Sequence, residues 1–162
     1  MINPITQARR HYEDLTVGEV FVLAPRFVTA GMIKDFARQY DPLPFHLDEE
    51  FAKSSILGGL AASGFQTGGL TLRGLVEGFL GQIASAGGLG FSDLRWLAPV
   101  MAGDEISGTG TITGLRVSRS RPHWGIVSIR LDVRNQTGRP VMEMSLDNLV
   151  DVRSAQRPER GA

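Results

Sequence analysis

Asp41 and His46 stand five residues apart in the stretch "DPLPFH", with Pro42 and Pro44 between them. A histidine titrates near neutrality and can take or give a proton, while a carboxylate can accept a proton or hold a water molecule. Held at a fixed separation, the two could grip one water from two sides and deprotonate it. A plainer reading is a rigid joint, in which Asp41 receives backbone N–H groups in a turn and His46 bonds a nearby carbonyl. Each proline fixes its own φ near about −65° and biases the residue before it toward extended backbone. The segment is therefore expected to be a stiff extended connection that cannot coil, at the exit of one helix and just before another.

A second group lies further on, in "SGFQ" at residues 63–66. Ser63 as N-cap with Gln66 reaching back fits a capping box. The first turn of a helix leaves amides without intrahelical partners and carries the positive end of the dipole. The Gly64 N–H, with no side chain in the way, could stabilise a carbonyl oxygen as it gains negative charge. Plain helix capping is the competing role, and for Ser63 it is the expected one.

These residues must be positioned by a helical first half and a strand-rich second half. "VFVLAPRFVT" reads as a strand broken by Pro25, after which Thr29 can cap a helix carrying Met32, Ile33, Phe36, Ala37 and Tyr40 on one face. That helix must end near Tyr40, ahead of the prolines. Asp48 can cap a short helix in "DEEFAKSS", where Glu49 precedes Lys53 by one turn. The strongest helical pattern is "SGFQTGGLTLRGLVEGFLGQIA", whose Leu72, Leu75, Val76, Phe79, Leu80 and Ile83 trace one stripe expected to be buried. Its glycines, among them Gly68, Gly69, Gly74, Gly78 and Gly81, each cost about 1 kcal/mol relative to alanine, so packing must hold this helix together. Small residues would let a sheet approach its backbone closely.

From residue 104 to 152 three strands are legible, with a fourth in "LGFSDLRWL". Val127, Ile129, Leu131 and Val133 alternate with polar residues, as do Met142, Met144, Leu146, Val150 and Val152. "NQTGRP" supplies a hairpin turn through Gly138. Long consecutive strands with short turns predict an antiparallel sheet, and the glycine-rich helix is the candidate to cover its half-buried face. One α+β domain over residues 15–152 is the expected organisation, with an N-terminal arm at 1–14 and a flexible tail at 153–162.

Composition excludes several classes. At 162 residues the chain can bury a real core as one domain. Seventeen basic and seventeen acidic residues cancel, so no global field points to nucleic acid or to an anionic membrane surface. There is no cysteine, hence no disulfide, thiolate nucleophile or cysteine-ligated metal. The three histidines, His11, His46 and His123, are too dispersed to suggest a metal site, and no cofactor is implied. No run approaches the roughly 20 apolar residues of a membrane span, so a cytoplasmic protein is expected.

The run "YDPLPFHLDEEFAKSSILGGLAASGFQTGGL" resembles the hydratase signature of the MaoC-like dehydratases, the family of the (R)-specific enoyl-CoA hydratases. "LGFSDLRWLAPVMAGDEI" is similar to that family's aromatic strand followed by a proline and a Gly-Asp turn, and the likeness covers roughly residues 15 to 152. The resemblance implies a hot-dog fold, an antiparallel sheet wrapped around a long central helix, dimerised through sheet edges. It also implies hydration of trans-2-enoyl-CoA thioesters or dehydration of 3-hydroxyacyl-CoA. Asp41 and His46 would be the catalytic pair, the Gly64 amide would polarise the thioester carbonyl, and Ser63 is a candidate substrate contact. Leu43 and Leu72 depart from the family pattern, which has Asn and a small hydroxyl residue there.

Arg116, Arg119 and Arg121 cluster near Trp124 and could meet coenzyme A phosphates, or form a solvated loop. Trp96 and Phe91 could line an acyl tunnel or serve as core. Two other functions stay open: an acyl-CoA thioesterase on the same fold, and a non-catalytic acyl-binding subunit paired with a catalytic homologue.

Overall fold

Alternating apolar positions make one face of each long strand sticky, and the sheet they build needs a cover. The structure, a computed structural model, describes residues 9–153. Its sheet contains β1 (Val20–Phe27), β2 (Ser85–Trp96), β3 (Glu105–Val117), β4 (Trp124–Asn135) and β5 (Pro140–Asp151). All pairings are antiparallel, in the order β1-β3-β4-β5-β2. The first two strands thus sit at opposite edges, and the chain between them must cross the whole sheet. That crossover holds four helices, α1 (Ala30–Tyr40), α2 (Pro44–Leu47), α3 (Glu49–Ser54) and α4 (Gly64–Gly78). A sheet curled around one long helix in this order is the hot-dog arrangement.

Local signals act as their chemistry requires. Thr29 Oγ1 accepts the Met32 N–H at 3.1 Å, and Asp48 accepts the Glu50 and Phe51 amides at 2.8 and 2.9 Å. The β4–β5 hairpin turns at Gly138, whose φ of 81° lies in the left-handed region, while Asn135 Oδ1 accepts the amides of Thr137 and Arg139. Val127, Ile129, Leu131 and Val133 of β4 are all buried, opposite Asn148, Leu146, Met144 and Met142 of β5.

Several expectations need correction. Pro25 does not break β1; the strand runs through it with a register shift between Leu23 and Arg26, which an edge strand tolerates because one side needs no N–H. Lys53 pairs with Glu50 at 2.7 Å rather than with Glu49, which reaches Lys34 of α1, also at 2.7 Å. On α1 only Ile33 and Ala37 are buried, and Tyr40 is exposed. The helix α4 stops at Gly78, and Gly81 belongs to a separate 3-10 turn.

The expected apolar stripe is also divided. Leu75, Phe79 and Ile83 are buried, but Leu72 and Val76 are 48% and 39% exposed. The buried face of α4 is instead built on Gln66, Thr67, Thr71, Gly74 and Leu75, because the helix lies against the backbone of β1. A Cβ on Gly74 would stand 2.8 Å from the Ala24 carbonyl oxygen, and one on Gly78 would run into the Val22 carbonyl. Phe79 then stacks on Phe21 with ring centroids 4.0 Å apart.

The described end of the N-terminal segment, residues 9–14, is tied to the sheet rather than free. Tyr12 covers Gly125, Arg10 bridges to Ile83, and the Arg10 guanidinium grips both carboxylate oxygens of Glu19 at 2.6 and 2.7 Å. The expectations for residues 1–8 and 154–162 lie outside the described residues. Among the described residues no helix is long and apolar enough to cross a membrane.

Three outcomes follow for stability. Gly78→Ala should destabilise by about 1–3 kcal/mol in urea unfolding, because the new methyl meets the β1 backbone at Val22, which cannot swing aside as a side chain can. Gly68→Ala, whose Cβ meets nothing within 4 Å, should stabilise by about 0.5–1 kcal/mol. The hydrogen bond from Arg10 holds the Glu19 carboxyl below its ordinary value of 4.5. A lowered folded-state value means that the pair stabilises above that ordinary value and loses its effect as pH falls through the lower one. Glu19→Gln should therefore cost about 0.5–1 kcal/mol at neutral pH, with the gap to the parent closing in acid.

Candidate active site

His46 is placed by a helical turn, not by an extended strand. Pro44 is the first residue of α2, where its missing N–H costs nothing, and Leu43 is the N-cap. The expectation that this segment cannot coil is thus corrected: proline resists the interior of a helix but suits its first position. The turn carries His46 back toward the end of α1, where Asp41 closes the helix by donating its N–H to the Ala37 carbonyl at 3.0 Å. His46 Nε2 and Asp41 Oδ2 come to 3.5 Å. The imidazole is 7% exposed and the carboxylate 27%.

The other ring nitrogen defines the tautomer. His46 Nδ1 lies 2.7 Å from the Ala61 carbonyl oxygen, which can only accept, so Nδ1 carries the proton. In the neutral ring Nε2 then keeps its lone pair facing Asp41 and the cleft. The Ala61 carbonyl is itself held. Ala61 bridges Met101, the Ala62 N–H donates to Val100 O at 2.8 Å, and the Ala102 N–H donates to Leu60 O at 3.0 Å. Asp104, in the Gly-Asp turn, accepts from the Met101 N–H and from Gln136 Nε2.

The same bridge delivers the start of α4. Ser63 is the N-cap by position, but its side chain makes no capping bond, and Gln66 does not reach back. Gln66 Nε2 instead donates to the Met32 carbonyl of α1 at 2.8 Å, which fixes α4 against α1. The capping-box expectation fails because that carbonyl competes for the same side-chain amide. Ser63 Oγ is left buried with no hydrogen-bond partner among the described residues. The Gly64 N–H belongs to the first turn, where no intrahelical carbonyl can accept it.

Asp41, His46, Ser63 and Gly64 line one cleft of about 480 Å3, together with Phe45 and Trp96. Trp96 is the residue whose place the sequence left open between tunnel and core. It lies flat against Gly64, where a Cβ would stand 2.6 Å from its Nε1, and its ring meets Phe65 edge-on at 5.7 Å. Phe91 does not line the cleft and is 64% exposed. Leu43 and Leu72 are absent from the lining as well. His123 lies elsewhere, at the β3–β4 turn, with its ring tilted on Trp124. A second cleft of about 490 Å3, walled by Phe36, Tyr40 and Phe65, meets the first at Asp41 and Ser63.

This arrangement sets a proton acceptor and a carboxylate beside a donor-rich helix start in a largely apolar wall. It suits moving a proton to or from water while an oxygen nearby gains charge. The Ala61 carbonyl was missed in the sequence because any residue supplies one; only the folded pairing of residues 60–62 with 100–102 brings it to the imidazole.

Known proteins of similar sequence and shape carry the same frame. Over 90% of this chain and 99% of the other, it is 39% identical to the MaoC-like dehydratase from Rhodospirillum rubrum, with a TM-score of 0.78. The (R)-hydratase from A. caviae involved in PHA biosynthesis is 26% identical, covering 84% of this chain and 97% of that one at a TM-score of 0.69. YdeM of Bacillus subtilis, an uncharacterized protein, is 30% identical over 139 residues, 85% of this chain and 96% of its own length. The model of the MaoC like domain matches residues 13–133, which span the crossover, its cleft and most of the sheet. This chain belongs to the MaoC-like domain family.

Proposed function

We propose that this protein adds water to trans-2-enoyl-CoA thioesters, or removes it from 3-hydroxyacyl-CoA, as a cytoplasmic homodimer. The observation that carries this reading is the 3.5 Å approach of His46 Nε2 and Asp41 Oδ2 in the cleft that also holds the Gly64 amide. A water bound by both groups gives up a proton to this pair as its oxygen bonds to C3 of the enoyl group. The C2–C3 π electrons move toward the thioester, and the carbonyl oxygen becomes an enolate oxygen. The Gly64 N–H and the helix dipole stabilise that charge, and Ser63 Oγ is a second donor within the same wall. A proton then passes from the pair to C2, and the carbonyl re-forms. Dehydration is the reverse path.

Leu43 and Leu72, the two departures from the family pattern, are nearly half exposed and absent from the lining of the cleft, which supports keeping Asp41 and His46 as the reacting pair. A second copy is supported by apolar surface left open on one chain. Phe65, Leu72 and Val76 are exposed on α4, and Leu89 and Phe91 on β2, a 12-residue edge strand whose outer side has no strand partner among the described residues.

Hydration of crotonyl-CoA, followed as loss of enoyl absorbance, tests the pair. Asp41→Asn and His46→Ala should each lower kcat/KM by at least about 100-fold with unchanged circular dichroism. Turnover persisting in either variant removes that residue from the mechanism, and release of free thiol by the parent chain would make it a thioesterase. Gly64→Ala should also lose at least about tenfold in kcat/KM, because the new methyl displaces Trp96 and disturbs the oxygen site. The double variant Gly64→Ala, Trp96→Leu should recover part of that loss; no recovery would separate the amide from the indole.

A further inference from the structure

A larger cleft, of about 630 Å3, lies elsewhere on the sheet, and the hydration reading makes no use of it. Its apolar wall is Trp124 and Ile126 of β4 with Leu149 of β5, and its rim is Arg116, Arg119 and Arg121. Ile126 pairs with both Arg116 and Leu149 across the ladder, so Arg116 shares one face of the sheet with the apolar wall. Among the described residues no carboxylate lines the cleft. Among the described residues, none of the three guanidinium groups forms an ion pair or a side-chain hydrogen bond, whereas Arg10, Arg26, Arg73, Arg130 and Arg153 all have acidic partners.

Arg116 is held in β3, and the loop that carries Arg119 and Arg121 is ordered by its own bonds. The Ser118 N–H donates to Trp124 O at 2.8 Å, the Trp124 N–H donates to Arg121 O at 2.9 Å, and the Arg121 N–H donates to Ser118 Oγ at 3.3 Å. Three like charges brought together without a counter-charge repel one another, which an anion would relieve. Guanidinium forks match phosphate oxygens, and an indole beside them offers a face for a flat base. The volume falls in the range of small-molecule sites.

We infer that this cleft binds the phosphate groups of a nucleotide, with its base against Trp124. Leu89, which also lines it, is seven residues along β2 from Trp96, roughly 23 Å at strand spacing, so within one chain it is a separate site from the Asp41–His46 cleft. The shared chemistry has two sources: the nucleotide end of a thioester carrier seated across a second copy, or a separate phosphorylated ligand.

The probe is adenosine 3′,5′-bisphosphate titrated into the full chain in a calorimeter. Binding is expected, weakening as salt rises, and Arg119→Ala and Arg121→Ala should each reduce affinity by about tenfold. Asp41→Asn should bind the probe like the parent, so failure of the hydration reading would leave this result intact. No binding, or equal binding by a correctly folded variant with all three arginines changed to alanine, overturns the inference. Crotonyl-CoA kinetics then separate the sources. A raised KM with unchanged kcat in the arginine variants assigns the cleft to the carrier, and unchanged KM assigns it to another nucleotide.

Discussion

The hydrogen bond from His46 Nδ1 to the Ala61 carbonyl is the contact on which the candidate site depends. It gives one ring nitrogen a fixed proton and leaves the other turned toward Asp41. It also ties the crossover to itself, since His46 comes before α3 and Ala61 comes just ahead of α4. Around it the backbone of residues 60–62 is locked to residues 100–102, and Asp104 holds the far side of that lock by accepting two bonds. Removing the carbonyl's orientation would release the ring and the start of α4 together, because one short bridge sets both.

Much of this was legible in the sequence wherever local chemistry decides structure. Thr29 and Asp48 cap helices because their side-chain oxygens have no better partner than the amides two or three residues on. Gly138 marks the hairpin because its turn needs a positive φ. The alternation in β4 survives because one face must leave water. Asp41, His46, Ser63 and Gly64 converge on one cleft, as the spacing and the family resemblance together implied, although their part in a reaction is a matter for the enzymology.

Long-range competition was not legible. Gln66 has the right position for a capping box, yet Met32 of another helix offers a carbonyl that no local rule can foresee. The stripe on α4 was read as one buried face, but the two glycines at 74 and 78 let β1 come so near that the helix turns toward the strand, leaving Leu72 and Val76 outside. The helical turn at Pro44 was misread for a different reason: two prolines in close succession suggest extension, whereas the second one opens a helix.

Because α4 meets β1 through carbonyl oxygens at Gly74 and Gly78, its distance from the sheet is a hard stop rather than a balance among flexible side chains. Core packing elsewhere can loosen or tighten without bringing the helix any nearer to that strand. The fold thereby uncouples thermodynamic robustness from the placement of the amide that opens α4, and drift in the apolar interior would erode the melting temperature well before it blurred the alignment at Gly64.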